Sequence, residues 1–142
     1  MKSAGIKAYN NISVHTEVNQ ASPHRLIQML INAAIGKIAA AKGYMNNKKI
    51  AQKGEQIGTA ISIIDGLRSS LDKSVGGEIA LNLDNLYEYM IDCLTEANIN
   101  NDPARLDEVI TLLKPIKEAW DAIPEDIQND FTESSAQKSA AG

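Results

Sequence analysis

Between Gly76 and Asn98 apolar side chains return at alternating steps of four and three: Ile79, Leu83, Leu86, Met90, Cys93 and Ala97. That spacing puts them on one stripe of an α-helix. Ala80, Tyr87, Ile91 and Leu94 widen the stripe on one flank, while Asn82, Asn85, Asp92 and Glu96 mark a wet face. A stripe this wide requires several helical neighbours.

Three other segments supply them. After Ser22-Pro23, a serine that can accept from free first-turn amides followed by a proline that loses no needed donor, Leu26, Ile27, Leu30, Ala34, Ile38 and Ala41 form the inner face of a helix over about 23–45. Asn46 and Asn47 are expected to end it, since asparagine tolerates the left-handed conformation of a helix terminus. A second helix is expected over 48–72, with Ile50, Gly54, Ile57, Ile61, Ile64 and Leu71 on its stripe. Gly76-Gly77 turns the chain into the third helix, 76–98. Asp102-Pro103 repeats the cap-then-proline signal and opens a fourth, 103–122, carrying Leu106, Ile110, Leu113 and Trp120 with Val109, Leu112, Ile116 and Ala119 beside them. Pro115 lies inside that pattern, and the missing amide predicts a kink.

Superimposed on the second helix, Gly54, Gly58, Ser62 and Gly66 recur every four residues. A mid-helix glycine costs ~1 kcal/mol relative to alanine, so the row asks for a reason. Small residues lower one ridge and admit another helix backbone. The row either seats the chain's own helices or forms a shallow slot for a helix from another chain. Gly36, Ala40 and Gly43 repeat the idea more weakly.

Short connections favour antiparallel neighbours, so the fold class is all-α, an antiparallel up-down four-helix bundle spanning 22–123. Ahead of it, residues 1–21 hold only a few apolar anchors, Ile6, Tyr9, Ile12 and Val14, and read as a lightly held N-terminal cap segment. Residues 124–142, rich in Ser, Ala, Gln and Asp, bury too little to order themselves and read as a disordered acidic tail.

The chain's 142 residues and 44% hydrophobic content suit one core, and with aromatics at 4% that core is aliphatic. No apolar run approaches a membrane span or a signal core, which points to a cytoplasmic protein without direct membrane insertion. The net charge of −4 divides unevenly: the last nineteen residues carry −3, leaving the remainder near neutral. Nucleic acid and anionic lipid require clustered positive charge, and none is visible.

Catalytic and metal chemistry find little support. His15 and His24 fit no Glu-x-x-His pair of a di-metal bundle. Cys93, the single cysteine, permits no internal disulfide, and its place on the apolar stripe reads as a buried thiol. Tyr87 and Tyr89 point to different faces, so at most one is core. Trp120, near a helix end, reads as a plug. The chain is expected to be no enzyme and to hold no cofactor or metal.

The strings Ile6-Lys7-Ala8-Tyr9, Ser22-Pro23-His24-Arg25-Leu26-Ile27-Gln28-Met29-Leu30, Lys53-Gly54-Glu55, Ile63-Ile64-Asp65-Gly66-Leu67, Gly76-Gly77-Glu78-Ile79-Ala80, Leu86-Tyr87-Glu88-Tyr89-Met90 and Glu96-Ala97-Asn98 through Asp102 stand in the order and spacing of one family. Over about residues 5–122 the chain resembles the flagellin-specific flagellar secretion chaperones. Any one string is weak, and together they are specific. The resemblance implies a helical bundle that holds the disordered C-terminal segment of newly made flagellin in hydrophobic grooves, blocks premature filament assembly and delivers the client to the membrane export gate of the flagellar type III secretion system. It also implies that Ile6 and Tyr9 take part in client and export-gate contacts.

Combining the resemblance with the apolar ridges, the candidate client-binding residues are Ile6, Tyr9, Leu26, Met29, Leu30, Ile57, Gly58, Ile61, Ile64, Leu83, Leu86 and Tyr87. Helix-in-groove recognition is the expected mode. The chain departs from the family pattern at Asn32-Ala33, Lys48-Lys49, Asp92-Cys93 and Pro115, changes that alter surface charge and local helix shape more than the apolar stripes. Two other readings stand beside this one: a bundle chaperone for a different exported filament protein, and a self-assembling structural subunit.

Overall fold

Four helices account for nearly all of residues 22–124, the part of the chain that the computed structural model describes. They are α1 (Pro23–Asn46), α2 (Ile50–Ser69), α3 (Lys73–Asn100) and α4 (Pro103–Asp121). The expected N-terminal cap, with Ile6 and Tyr9, and the acidic tail beyond Pro124 lie outside the described residues. The chain divides into two compact units. One, Gln28–Ala122, holds the bundle core; of the other, residues 22–27 and 123–124 are described.

Cross-helix contacts within the larger unit give the topology. Arg68 Nε lies 2.7 Å from Asp84 Oδ1, and Lys53 Nζ donates to the Asn98 carbonyl at 2.9 Å, so α2 and α3 run antiparallel. Tyr89 bonds Glu108 while Arg105 pairs with Glu96 at 3.2 Å, which sets α3 against α4 in the same sense. Gln28 reaches Asp121 at 2.9 Å and Lys42 reaches Asp107 at 2.9 Å, bringing α1 alongside α4. The result is an up-down bundle. Its core is aliphatic: Ile31, Ala34 and Ile38 of α1, Ile57, Ile64 and Leu67 of α2, Met90 and Leu94 of α3, Leu106 and Leu113 of α4 are all buried. Fully burying each larger side chain is worth about 1.5–3 kcal/mol.

The helix ends refine the sequence-based boundaries. Ser22 Oγ accepts from Arg25 N at 3.1 Å, and Asp102 Oδ1 accepts from Ala104 N at 3.0 Å, the two expected caps. The α1 terminus is left-handed at Lys48 (φ 59) rather than at an asparagine. Lys49 N bonds the Tyr44 carbonyl at 2.8 Å and Lys48 N bonds that of Met45 at 3.2 Å, the two bonds of a Schellman turn. That turn occupies residues 47–49, so α2 begins at Ile50, not 48. At its other end α2 stops at Ser69 because Asp72 is already the N-cap of α3, accepting from Ser74 N and Val75 N. α3 therefore starts at Lys73, earlier than Gly76, and breaks at Gly77 (φ 56, ψ −128). Beside it, a Cβ on Gly76 would come within 2.7 Å of the Ala80 Cβ. α4 continues through Pro115 to Asp121.

Two buried polar side chains were not legible in the pattern. Lys53, only 4% exposed, donates to the Asn98 carbonyl and, at 2.6 Å, to Asn101 Oδ1. Asn101 is the left-handed C-cap of α3 (φ 50, ψ 50), so the ammonium sits where the helix macrodipole favours a cation. Asp84 is held between Arg68 and Lys73, the latter at 3.4 Å. The Arg68 hydrogen bond outweighs the burial and keeps its carboxyl below the usual range.

Candidate functional site

The stripe that runs down α3 changes environment along its length. Met90 and Cys93 are sealed in the core, yet Ile79, on the same stripe three turns earlier, is 72% exposed, and Leu83 and Leu86 are half-buried. The stripe places all three on the face of Met90, with Leu83 and Leu86 also client-binding candidates, and among the described residues nothing seals it at this height.

The same happens on the neighbouring helices. Val109 and Leu113 of α4 are buried, whereas Ile116 and Trp120, continuing their row at helical spacing, are half-buried. On α2, Ile64 and Leu67 are buried, and Leu71, just beyond its end, is half-buried. Leu30 of α1, one turn before the buried Ala34, is also half-buried. By the antiparallel contacts above, the start of α1, the end of α2, the start of α3 and the end of α4 share one end of the bundle. Among the described residues the core is left partly open there.

The partly exposed apolar residues at this end, bordered by the polar pocket of Asp65, Arg68, Ser69, Lys73 and Asp84, offer a surface that an amphipathic helix fits by area and shape. The break at Gly77 adds to the opening. It separates the single capped turn at Lys73–Gly76 from the body of α3, leaving Val75 as exposed as Ile79.

The sequence-based candidates fall in different places. Leu30, Leu83 and Leu86 line the open end, and Met29 is half-buried next to Leu30. Leu26 is half-buried in the other unit. Ile57, Ile64 and Tyr87 are fully or almost fully buried, so in this form they hold the helices together and reach no client directly. Ile61 is half-buried and Gly58 exposed on α2. Ile6 and Tyr9 lie outside the described residues. Ile116, Trp120 and Leu71 were not among the candidates. For Ile116 and Trp120 the signal was available, since they continue the row of Val109 and Leu113 at helical spacing.

The glycine ridge faces outward. A Cβ at Gly58 or Gly66 would meet nothing within 4 Å, and at Gly54 only Asn98 Oδ1 at 3.9 Å. The row does not seat α2 against its own neighbours.

Titratable groups near the surface are engaged with one another. Tyr89 donates to Glu108, whose carboxylate pushes the phenol up to about 12 and is itself held low by that bond and by Arg105 at 3.0 Å. Burial pushes the Cys93 thiol up, away from the thiolate form that nucleophilic attack requires. Among the described residues no group of His, Cys, Asp and Glu is placed to hold a metal ion, and no helix is long and apolar enough to cross a membrane.

A family profile described as flagellar protein FliS matches residues 5–126. The chain belongs to the FliS family. It is 50% identical over 118 residues to the flagellar secretion chaperone FliSB of Pseudomonas aeruginosa, covering 83% of this chain and 94% of that protein. To the flagellar secretion chaperone FliS of Vibrio cholerae it is 44% identical over 124 residues, 87% of this chain and 91% of the relative. To that of Salmonella typhimurium it is 46% identical over 121 residues, 84% and 90% respectively. This FliS-family chain is an export chaperone of the flagellar system.

Proposed function

We propose that the chain is a cytoplasmic chaperone for flagellin. It binds the C-terminal segment of flagellin along the open end of the bundle, keeps it from polymerising and hands it to the export-gate protein of the flagellar type III apparatus. One observation carries the reading: apolar residues that continue the core rows stay half-buried or exposed at this end among the described residues. Leu30, Ile79, Leu83, Leu86 and Ile116 are the surface that a client helix completes.

A disordered client must recover its ordering entropy on binding, which calls for broad apolar contact. The open end is apolar and wide in this sense. Met29, Ile61 and the ridge at Gly58 extend the client path along α1 and α2, and Leu26 is a further candidate. Ile6 and Tyr9 take part in client and export-gate contacts, as the family resemblance implies.

Calorimetric titration with the C-terminal segment of flagellin from the same organism tests this. The expected result is a stoichiometric complex with a negative heat-capacity change and a gain in helicity. Absence of binding removes flagellin as the client and leaves a bundle chaperone for another exported filament protein.

A further inference from the structure

At the end of the bundle opposite the open core, a cleft of about 520 Å³ lies between the α1–α2 turn and the α3–α4 junction. Its apolar wall is Met45, Ile50 and Pro103, and Lys48 and Lys49 form its rim. Ile50 shares the stripe of the fully buried Ile57 and Ile64, yet it is 67% exposed. Among the described residues no Asp or Glu lines the cleft.

Its rim carries adjacent positive charge. The chain carries −4 overall, and Lys42, Lys73, Lys117, Arg68 and Arg105 each pair with a carboxylate. Lys48 and Lys49 pair with none among the described residues. Asp102, close by in sequence to Pro103, is committed to capping α4 through Ala104 N. Lys53, at the back of the cleft, adds a third positive charge whose hydrogen bonds go to Asn98 and Asn101.

Its backbone is also unusual. Lys48 occupies the left-handed position of the Schellman turn, where glycine avoids a penalty that a lysine incurs. The turn's hydrogen bonds need no side chain there, so the fold does not explain the choice. A rigid turn that holds two adjacent ammonium groups beside an apolar wall has a definite complement.

We infer that this cleft docks an acidic segment of a partner protein, in which one aliphatic or aromatic side chain covers Ile50 and flanking carboxylates meet Lys48 and Lys49. The site is separate from the open core, so both ends accept occupants together, and the inference stands whether or not flagellin is the client.

The test uses the full chain and two fluorescein-labelled dodecapeptides in a Gly/Ser background, one with glutamates around a central phenylalanine and one with glutamines in their place. Binding is read by anisotropy at low and high salt. The acidic peptide is expected to bind roughly five- to tenfold tighter, as two newly formed partly exposed charge pairs allow, and to lose that margin in high salt. Lys48→Glu/Lys49→Glu is expected to abolish the preference, and Ile50→Ser to weaken both peptides while keeping it, each with unchanged circular dichroism. Equal binding of the two peptides overturns the inference. So does an equal loss on Lys42→Glu, which would mark a diffuse charge effect. A chain ending at Pro124 that binds the acidic peptide more tightly would assign the cleft to the chain's own tail and overturn the partner reading.

Discussion

Ile79→Ala separates a binding surface from a core position within a single residue. Removing three carbons from a fully buried isoleucine forfeits about 2.4 kcal/mol at ~0.8 kcal/mol per methylene. In the free chain Ile79 is 72% exposed, so only a little over a quarter of that, about 0.7 kcal/mol, is at stake for folding. Alanine's better helix propensity returns about 0.4 kcal/mol. The expected change in melting temperature is thus a few degrees at most, on a scale of about 4–8 °C per kcal/mol for domains near this size. If a client covers the exposed portion, about 1.7 kcal/mol is lost from binding, roughly a twentyfold rise in Kd. Thermal melting and calorimetric titration on the same preparation give both numbers. Client affinity unchanged within twofold would refute the open-end reading, and a fall in melting temperature beyond about 10 °C would show that Ile79 is packed inside.

Other outcomes follow from the same geometry. Lys53→Met keeps the aliphatic stem but leaves the Asn98 carbonyl without its charged donor, so a loss of about 1–3 kcal/mol is expected in denaturant unfolding; Lys42→Met, which breaks a surface pair with Asp107, should cost less than about 1 kcal/mol, and equal effects would refute the capping role of Lys53. A Cβ at Gly58 meets no atom within 4 Å, so Gly58→Leu should raise stability by about 0.5–1 kcal/mol through helix propensity; weakened client binding in the same variant would place the ridge on the client path, and unaltered binding would remove it. The Tyr89 phenol, raised to about 12 by Glu108, should return toward its usual value of 10.0 in Glu108→Gln, read by ultraviolet titration. Because its folded-state value lies above the unfolded one, the stability from that contact is complete below pH 10 and is lost as pH rises through about 12. Asp84 has the opposite sign: its contribution is present above its ordinary value of 3.8 and is lost as pH falls below it, which acid unfolding of Arg68→Met against the unaltered chain would reveal.

Local physics was sufficient for much of the architecture. The steps of three and four, the Ser22-Pro23 and Asp102-Pro103 caps and the Gly76-Gly77 punctuation each act over one or two turns, so they could be read from the chain without knowing what lay across from it. The four helices and the family resemblance both came from that level. Direction along a stripe was legible too: Ile79, Leu83 and Leu86 do share a face with Met90.

Whether a facing helix is present at a given height was not legible, because coverage depends on how far each neighbour extends. Ile79 and Ile50 carry the same pattern as Ile57 and Met90, and only the tertiary structure leaves the first pair in water and seals the second. The same holds for the polar residues. Lys53 reads as a wet helix position until the end of α3 arrives above it, forty-five residues later in the chain, and supplies two acceptors. Glycines at 54, 58 and 66 announce a low ridge, but which way that ridge turns is fixed by the other face of α2, where Ile57 and Ile64 are drawn into the core.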